Sequence, residues 1–269
     1  MNPKSAISNM NGFTLVELMI VVLLTGIAVI AIYRGYNAVS QSADAQEQVI
    51  ELQQNLRIGM YFLEKDLRRA GMKEEEDDLV GFEAAGESAV TFAMDLWGND
   101  GTSAEDLAAL DVLDGTTDGI IEDLTGDGDV ADFEERISYF VDANGNFIRD
   151  YENDGTDCTA TPLPPQCILI SNVDALDFVY LDDESPVRNI LNDPGTGAVS
   201  ADDLAAIRTI QACMVVRTTN EDMRYTNNES YENIIPTALG GPQEILPSQG
   251  DHFRRRAFCK EIKIRNAGL

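Results

Sequence analysis

With 269 residues, the chain has room for one large domain or two small ones. It carries 47 acidic against 19 basic side chains, a formal net charge of −28. That balance argues against nucleic-acid binding, which needs a basic footprint, and disfavours docking on anionic lipid headgroups; cations and basic protein surfaces are the natural partners.

The first twelve residues are a short leader whose only charged side chain is Lys4. From Phe13 to Ile32 follow 20 residues with a single charge, Glu17. At about 1.5 Å per residue such a helix spans roughly 30 Å, the thickness of a bilayer's hydrocarbon core. A carboxylate at the centre of that layer costs at least about 2.5–3.5 kcal/mol, and less near the end, so Glu17 needs a partner. Cleavage between Gly12 and Phe13 would supply one, a new α-amino group. An ordinary secretory signal has a shorter apolar core and a small-residue site after it, and none follows Ile32. A plain signal anchor fits the hydropathy but leaves Glu17 unexplained.

The helical pattern continues beyond the apolar run. Tyr36, Val39, Val49, Leu52, Leu56, Met60, Leu63 and Leu67 recur at near-helical spacing among polar residues. Gly71 is the expected stop, after Lys65, Arg68 and Arg69, which suit the negative end of the helix dipole. The spacing predicts a helix from Phe13 to Ala70, its first half in lipid and its second half covering one face of a sheet.

The string Gly12-Phe13-Thr14-Leu15-Val16-Glu17 with the apolar helix behind it resembles the N-terminus of type IV pilins and type II secretion pseudopilins. Asn11 stands where that family's leader usually has Lys or Arg. The resemblance implies cleavage after Gly12 by a prepilin peptidase and N-methylation of Phe13. It also implies an inner-membrane anchor that packs into a filament core on assembly, with Glu17 paired to the N-terminal amine of a neighbouring subunit. The segment LQQNLRIGMYFLEKDLRRAGM, with its cluster Leu63–Glu64–Lys65–Asp66–Leu67–Arg68, resembles PilW-like minor pilins and J-type minor pseudopilins. The partners so implied are other minor subunits, the major subunit, the peptidase and the inner-membrane assembly platform.

Further along, Glu74 to Asp78 (EEEDD) reads as a solvated loop and Ser88 to Met94 as a first strand. Residues 98–134, rich in Asp and Gly, read as an acidic insertion. Arg136–Val141 and Phe147–Tyr151 form a hairpin with Asn144-Gly145 at its tip. Strands are expected at Ile168–Val173, Leu176–Leu181, Ile207–Thr218 and Arg256–Arg265, with long surface loops at Glu184–Ser200 and Thr218–Gly250. The expected class is α+β: a long N-terminal helix packed on an antiparallel sheet, with long acidic loops. The expected layout is a leader at 1–12, a membrane and filament-core helix at 13–33, its amphipathic continuation at 34–71, and a periplasmic or extracellular domain at 72–269.

Asp123 to Glu134, D-L-T-G-D-G-D-V-A-D-F-E, fits the twelve-residue EF-hand calcium loop. Asp123, Thr125 and Asp127 would supply side-chain oxygens, Asp129 its carbonyl, and Glu134 a closing bidentate carboxylate; Gly128 makes the turn. No helices flank it, so calcium would sit in an isolated loop; an acidic, Gly-rich surface turn is the alternative. The series Asp142, Asn144, Asn146 reads more simply as the hairpin tip.

Cys158, Cys167, Cys213 and Cys259 all fall in the part that would be exported, where disulfides form. Four cysteines allow three pairings; the short proline-rich loop CTATPLPPQC favours Cys158–Cys167 with Cys213–Cys259, and buried free thiols are the alternative. Nothing points to catalysis: His252 is the only histidine, and the chain has no phosphate loop, G-x-S-x-G or H-E-x-x-H motif. The C-terminal cluster Arg254, Arg255, Arg256, Lys260, Lys263 and Arg265 either docks an acidic neighbour or complements the chain's own acids. The function expected is that of a minor pilin or pseudopilin that helps initiate or cap a filament, in pilus assembly or in type II secretion. The alternative is a membrane-tethered, calcium-dependent adhesin at a filament tip.

Overall fold

The computed structural model describes residues 14–72, 81–94, 136–151, 156–183, 188–193 and 195–265. The chain divides into two compact units, Met1–Glu47 and Gln48–Leu269. A single helix, α1 (Leu15–Leu67), supplies the described structure of the first unit and begins the second.

In the second unit Leu52, Leu56, Met60, Leu63 and Leu67 are all buried. Their spacing of three or four residues puts one stripe of the helix against the sheet. Gly59 lies in the same stripe because a Cβ there would come within 3.1 Å of the Ile170 side chain. The α-helix ends three residues before the expected Ala70. Its last turn tightens, with Arg69 N–H donating to the Asp66 carbonyl at 2.9 Å and Met72 N–H to that of Arg69 at 3.0 Å. Gly71 takes a φ of 72°, the left-handed cap its position suggested.

The described strands are β1 (Gly81–Ala85), β2 (Ala89–Ala93), β3 (Arg136–Val141), β4 (Phe147–Tyr151), β5 (Ile168–Ile170), β6 (Val173–Leu181), β7 (Thr209–Arg217), β8 (Tyr231–Glu232), β9 (Glu244–Leu246) and β10 (Arg255–Lys263). All pair antiparallel, in a five-stranded sheet ordered β1-β2-β3-β4-β5, a three-stranded sheet ordered β10-β7-β6, and the pair β8-β9. The fold is thus a long N-terminal helix packed on antiparallel sheets.

The β3–β4 hairpin forms where expected. The Asp142 carboxylate accepts N–H groups from Asn144 at 2.9 Å and Asn146 at 2.7 Å, so this acid organises a turn. Those bonds hold its pKa below the usual carboxylate range, although its limited burial pushes the other way. Gly145 takes a φ of 76°, and a Cβ there would lie 2.9 Å from the Val173 carbonyl oxygen, so only glycine fits.

Phe92, Tyr139 and Phe147 are fully buried, with ring centroids 6.3 and 5.4 Å apart along the series. They share one core with the helix stripe and with Ile210, Ala212, Met214 and Val216 of β7. The stretch 218–250, expected as surface loop, instead builds β8 and β9 and covers the other face of the three-stranded sheet. Ile235 packs there against Val179 and Leu181, and Asn233 donates to Asp177 at 3.1 Å. The physical reason is β7 itself, a strand buried on both faces, which needs cover on its second side. Likewise 184–200 is not free loop throughout: Ile190 and Asn192 bridge to Leu181 and Val199.

Candidate anchor and assembly site

The site is built by the first turns of α1. Leu15 opens the helix, and Thr14 lies just before it. The Thr14 hydroxyl accepts the Glu17 backbone N–H at 3.2 Å, and its carbonyl accepts Leu18 N–H at 3.2 Å. Thr14 is therefore the N-cap, and Thr14-Leu15-Val16-Glu17 has the T-x-x-E spacing of a capping box. This feature was readable from the sequence, and the membrane-span reading passed over it. It sets Glu17 in the first helical turn, beside the positive end of the macrodipole. Among the described residues, its carboxylate pairs with no cation.

From Leu18 to Tyr33 the helix carries no charge and is apolar around its whole circumference. Leu18, Leu23, Leu24, Ile27 and Ile30 each expose more than half of their surface. The helix is long and apolar enough to cross a membrane, and none of its apolar stretch is buried. Such a helix needs an apolar solvent or a partner on every side. Tyr33, Arg34 and Tyr36 follow directly, an aromatic and basic group of the kind that sits at a bilayer's interface.

At the far end of α1, the Leu63–Arg68 cluster anchors the helix to strands. Asp66 is fully buried and accepts from the Tyr139 hydroxyl at 2.6 Å and Arg149 Nη2 at 2.5 Å. Burial, with the Asp66 carboxylate beside it, pushes the Tyr139 hydroxyl far above its ordinary range, so it stays protonated. Burial opposes the Arg149 charge, but the Asp66 carboxylate bonded to it outweighs that and holds the guanidinium protonated. Arg149 also lies 4.2 Å from the Tyr151 ring centroid, a cation–π contact. Glu64, two residues earlier and half-buried, pairs with Arg68 at 2.6 Å and with Lys260 of β10.

The other expected sites fare differently. Gly12 and Phe13 lie outside the described residues, as do Asp123, Thr125, Asp127, Asp129 and Glu134 of the calcium loop. Among the described residues no group of three His, Cys, Asp or Glu side chains could hold a metal ion. Cys158 is bonded to Cys167 and Cys213 to Cys259, with Cα atoms 5.6 and 4.0 Å apart. The first bridge closes a loop over Ile148, on the side of β4 away from the main core. The second joins directly opposed residues of β7 and β10.

The C-terminal basic cluster splits. Arg255 is buried and bonds Asp174 at 2.6 Å and Asp251 at 2.5 Å; Arg254 pairs with Asp222 at 2.7 Å and stacks on Tyr225. Arg256, Lys263 and Arg265 are exposed.

Residues 7–33 match the family model described as the prokaryotic N-terminal methylation motif. The match takes in residues 7–12, Glu17 and the apolar run. Among solved structures, the type IV-like pilin TTHA1219 from Thermus thermophilus is similar at 13% identity and a TM-score of 0.45. That likeness covers 81% of this chain and all of the other. No curated protein sequence matches the chain.

Proposed function

From a chain whose residues 7–33 match the prokaryotic N-terminal methylation motif, we propose a non-enzymatic structural subunit of an inner-membrane-rooted filament, of the minor kind, in the manner of type IV pilins and pseudopilins. The peptidase cuts after Gly12, Phe13 becomes the methylated first residue, and α1 holds the chain in the inner membrane until assembly. The domain that follows lies in the periplasm and, after assembly, at the filament tip. The subunit initiates or caps the filament together with other minor subunits, the major subunit and the assembly platform, in a type IV pilus or a type II secretion system.

One observation carries this reading. A lone carboxylate, Glu17, stands in the first turn of a helix that is otherwise bare and apolar to Tyr33. In lipid such a group is costly; in a filament it meets the N-terminal amine of a neighbour, so an unfavourable membrane state drives ordered packing. Minor rather than major status rests on the length of the chain and on the 98–134 insertion. Calcium bound by Asp123, Thr125, Asp127, Asp129 and Glu134 belongs to the proposal on the loop's spacing alone.

Glu17→Ala tests the role of the carboxylate. The variant is expected to insert and to be cleaved as the parent is, while its share in sheared filaments falls by more than about tenfold. Undiminished incorporation of the variant would remove Glu17 from the assembly mechanism.

A further inference from the structure

The anchor leaves one surface of the second unit unused. At the end of α1 a groove opens between the helix and the chain leaving β10. Tyr61 and Met72 supply its apolar part, and Lys65, Arg68, Arg69 and Arg265 surround it. Glu64 also lines it, but its carboxylate is held by Arg68 at 2.6 Å and by Lys260. Tyr61 is 62% exposed, and Lys65 and Arg265 are exposed without an ion pair among the described residues.

Three of these cations have a local explanation, because Lys65 lies in the last turn of α1 and Arg68 and Arg69 just past it, at the carbonyl end of the helix. Arg265 does not. It arrives from the end of β10, nearly 200 residues later, and completes a ring of four cations in a chain that has 19 in all. In a molecule of net charge −28 the contrast is large. The groove's field reaches about 8 Å at physiological salt, so it can hold a short acidic segment. A nucleic acid or an anionic bilayer extends much farther and meets the acids around it.

We propose that this groove docks a carboxylate-rich segment of a neighbouring protein subunit, with Tyr61 and Met72 receiving the aliphatic stems of its acidic side chains. The proposal rests on the reading of the chain as a filament subunit and names the surface through which it recruits a neighbour. Copies as acidic as this one repel each other, and a basic groove gives an approaching acidic face one place to land.

The probe is a fluorescent peptide, KEEEDDLV, which has five carboxylates and the sequence of residues 73–80 of this chain. It is titrated into the detergent-solubilised full chain and followed by anisotropy. Saturable binding at low salt is expected, lost in high salt and weakened at least about tenfold by Lys65→Glu with Arg265→Glu. Lys65→Gln with Arg265→Gln should fall between, and both pairs of changes should keep the parent circular dichroism. Absence of saturable binding, or binding indifferent to the charge reversals, would overturn the proposal. So would binding confined to a chain whose own Glu74–Asp78 are neutralised, which would make that run the occupant. The titration does not depend on processing. A chain cleaved after Gly12 that binds no peptide overturns the groove alone; one that binds but is never cleaved overturns the filament reading, and with it the neighbouring subunit.

Discussion

Asp66 and Arg149 meet inside the folded unit, Oδ2 to Nη2 at 2.5 Å, with the Asp66 side chain wholly buried and that of Arg149 14% exposed. This pair ties the last turn of α1 to the β3–β4 hairpin, 83 residues away in sequence. The Tyr139 hydroxyl closes the cluster at 2.6 Å. Asp66 Oδ1 and Arg149 Nε find no hydrogen-bond partner among the described residues, so the cluster is not fully satisfied.

Removing one partner strands the other charge in the core. Asp66→Ala is expected to cost about 3–5 kcal/mol, read as a lowered denaturation midpoint. Tyr139→Phe, which deletes only one hydrogen bond to a charged group, should cost about 1.5–3 kcal/mol. A neutral outcome for Asp66→Ala would mean that the cluster adds nothing to the packing around it.

Asp177 makes the opposite kind of prediction. Burial under Asn233 raises its pKa above the usual carboxylate value, the Asn233 hydrogen bond opposes the rise, and Glu87 adds to it. A group whose folded pKa is raised favours the folded state below its unfolded pKa, about 3.9. That contribution is lost as pH rises through the folded value. Asp177→Asn keeps the acceptor for Asn233 and removes the titration. The variant should be the more stable form at pH 7, and its advantage should vanish below about pH 4. Thermal melts across that range check the sign; a variant less stable at pH 7 would contradict it.

Calorimetry tests the calcium loop. With several millimolar calcium the full chain is expected to bind, consistent with affinities of about 10⁻⁴–10⁻³ M in extracellular modules. Asp127→Ala should abolish the heat, and binding that survives the substitution would place the cation elsewhere.

What the sequence disclosed follows the strength of its local signals. The helix, its Gly71 stop and the Asn144-Gly145 hairpin were legible because period and turn chemistry agreed. So were β7, with Thr209, Ile210, Val215 and Val216, and β10, with Phe258 and Ile262. The strand β1, GFEAA, was not legible, since none of its residues except Phe82 favours extended structure; pairing with β2 makes it a strand. The strands β8 and β9 have two and three residues, too few for any period to register. Arg255 looked like one of a surface cluster because one of its two partners, Asp174, is 81 residues away, although the other, Asp251, is only four. Asp66 could have been found, as it falls in the Leu56–Leu63–Leu67 stripe where an apolar residue belongs. The capping role of Thr14 was equally open to reading. Glu17 stood out because a charge in an apolar helix has few uses.

The central claim concerns the first residue of the mature chain. Intact mass and N-terminal sequencing of the membrane-extracted protein, expressed with and without a prepilin peptidase, test it most directly. The account predicts a peptidase-dependent chain that begins at N-methylated Phe13, four residues before Glu17. A chain still starting at Met1 or Asn2 in the presence of the peptidase would leave Glu17 without its amine and contradict the filament-subunit reading.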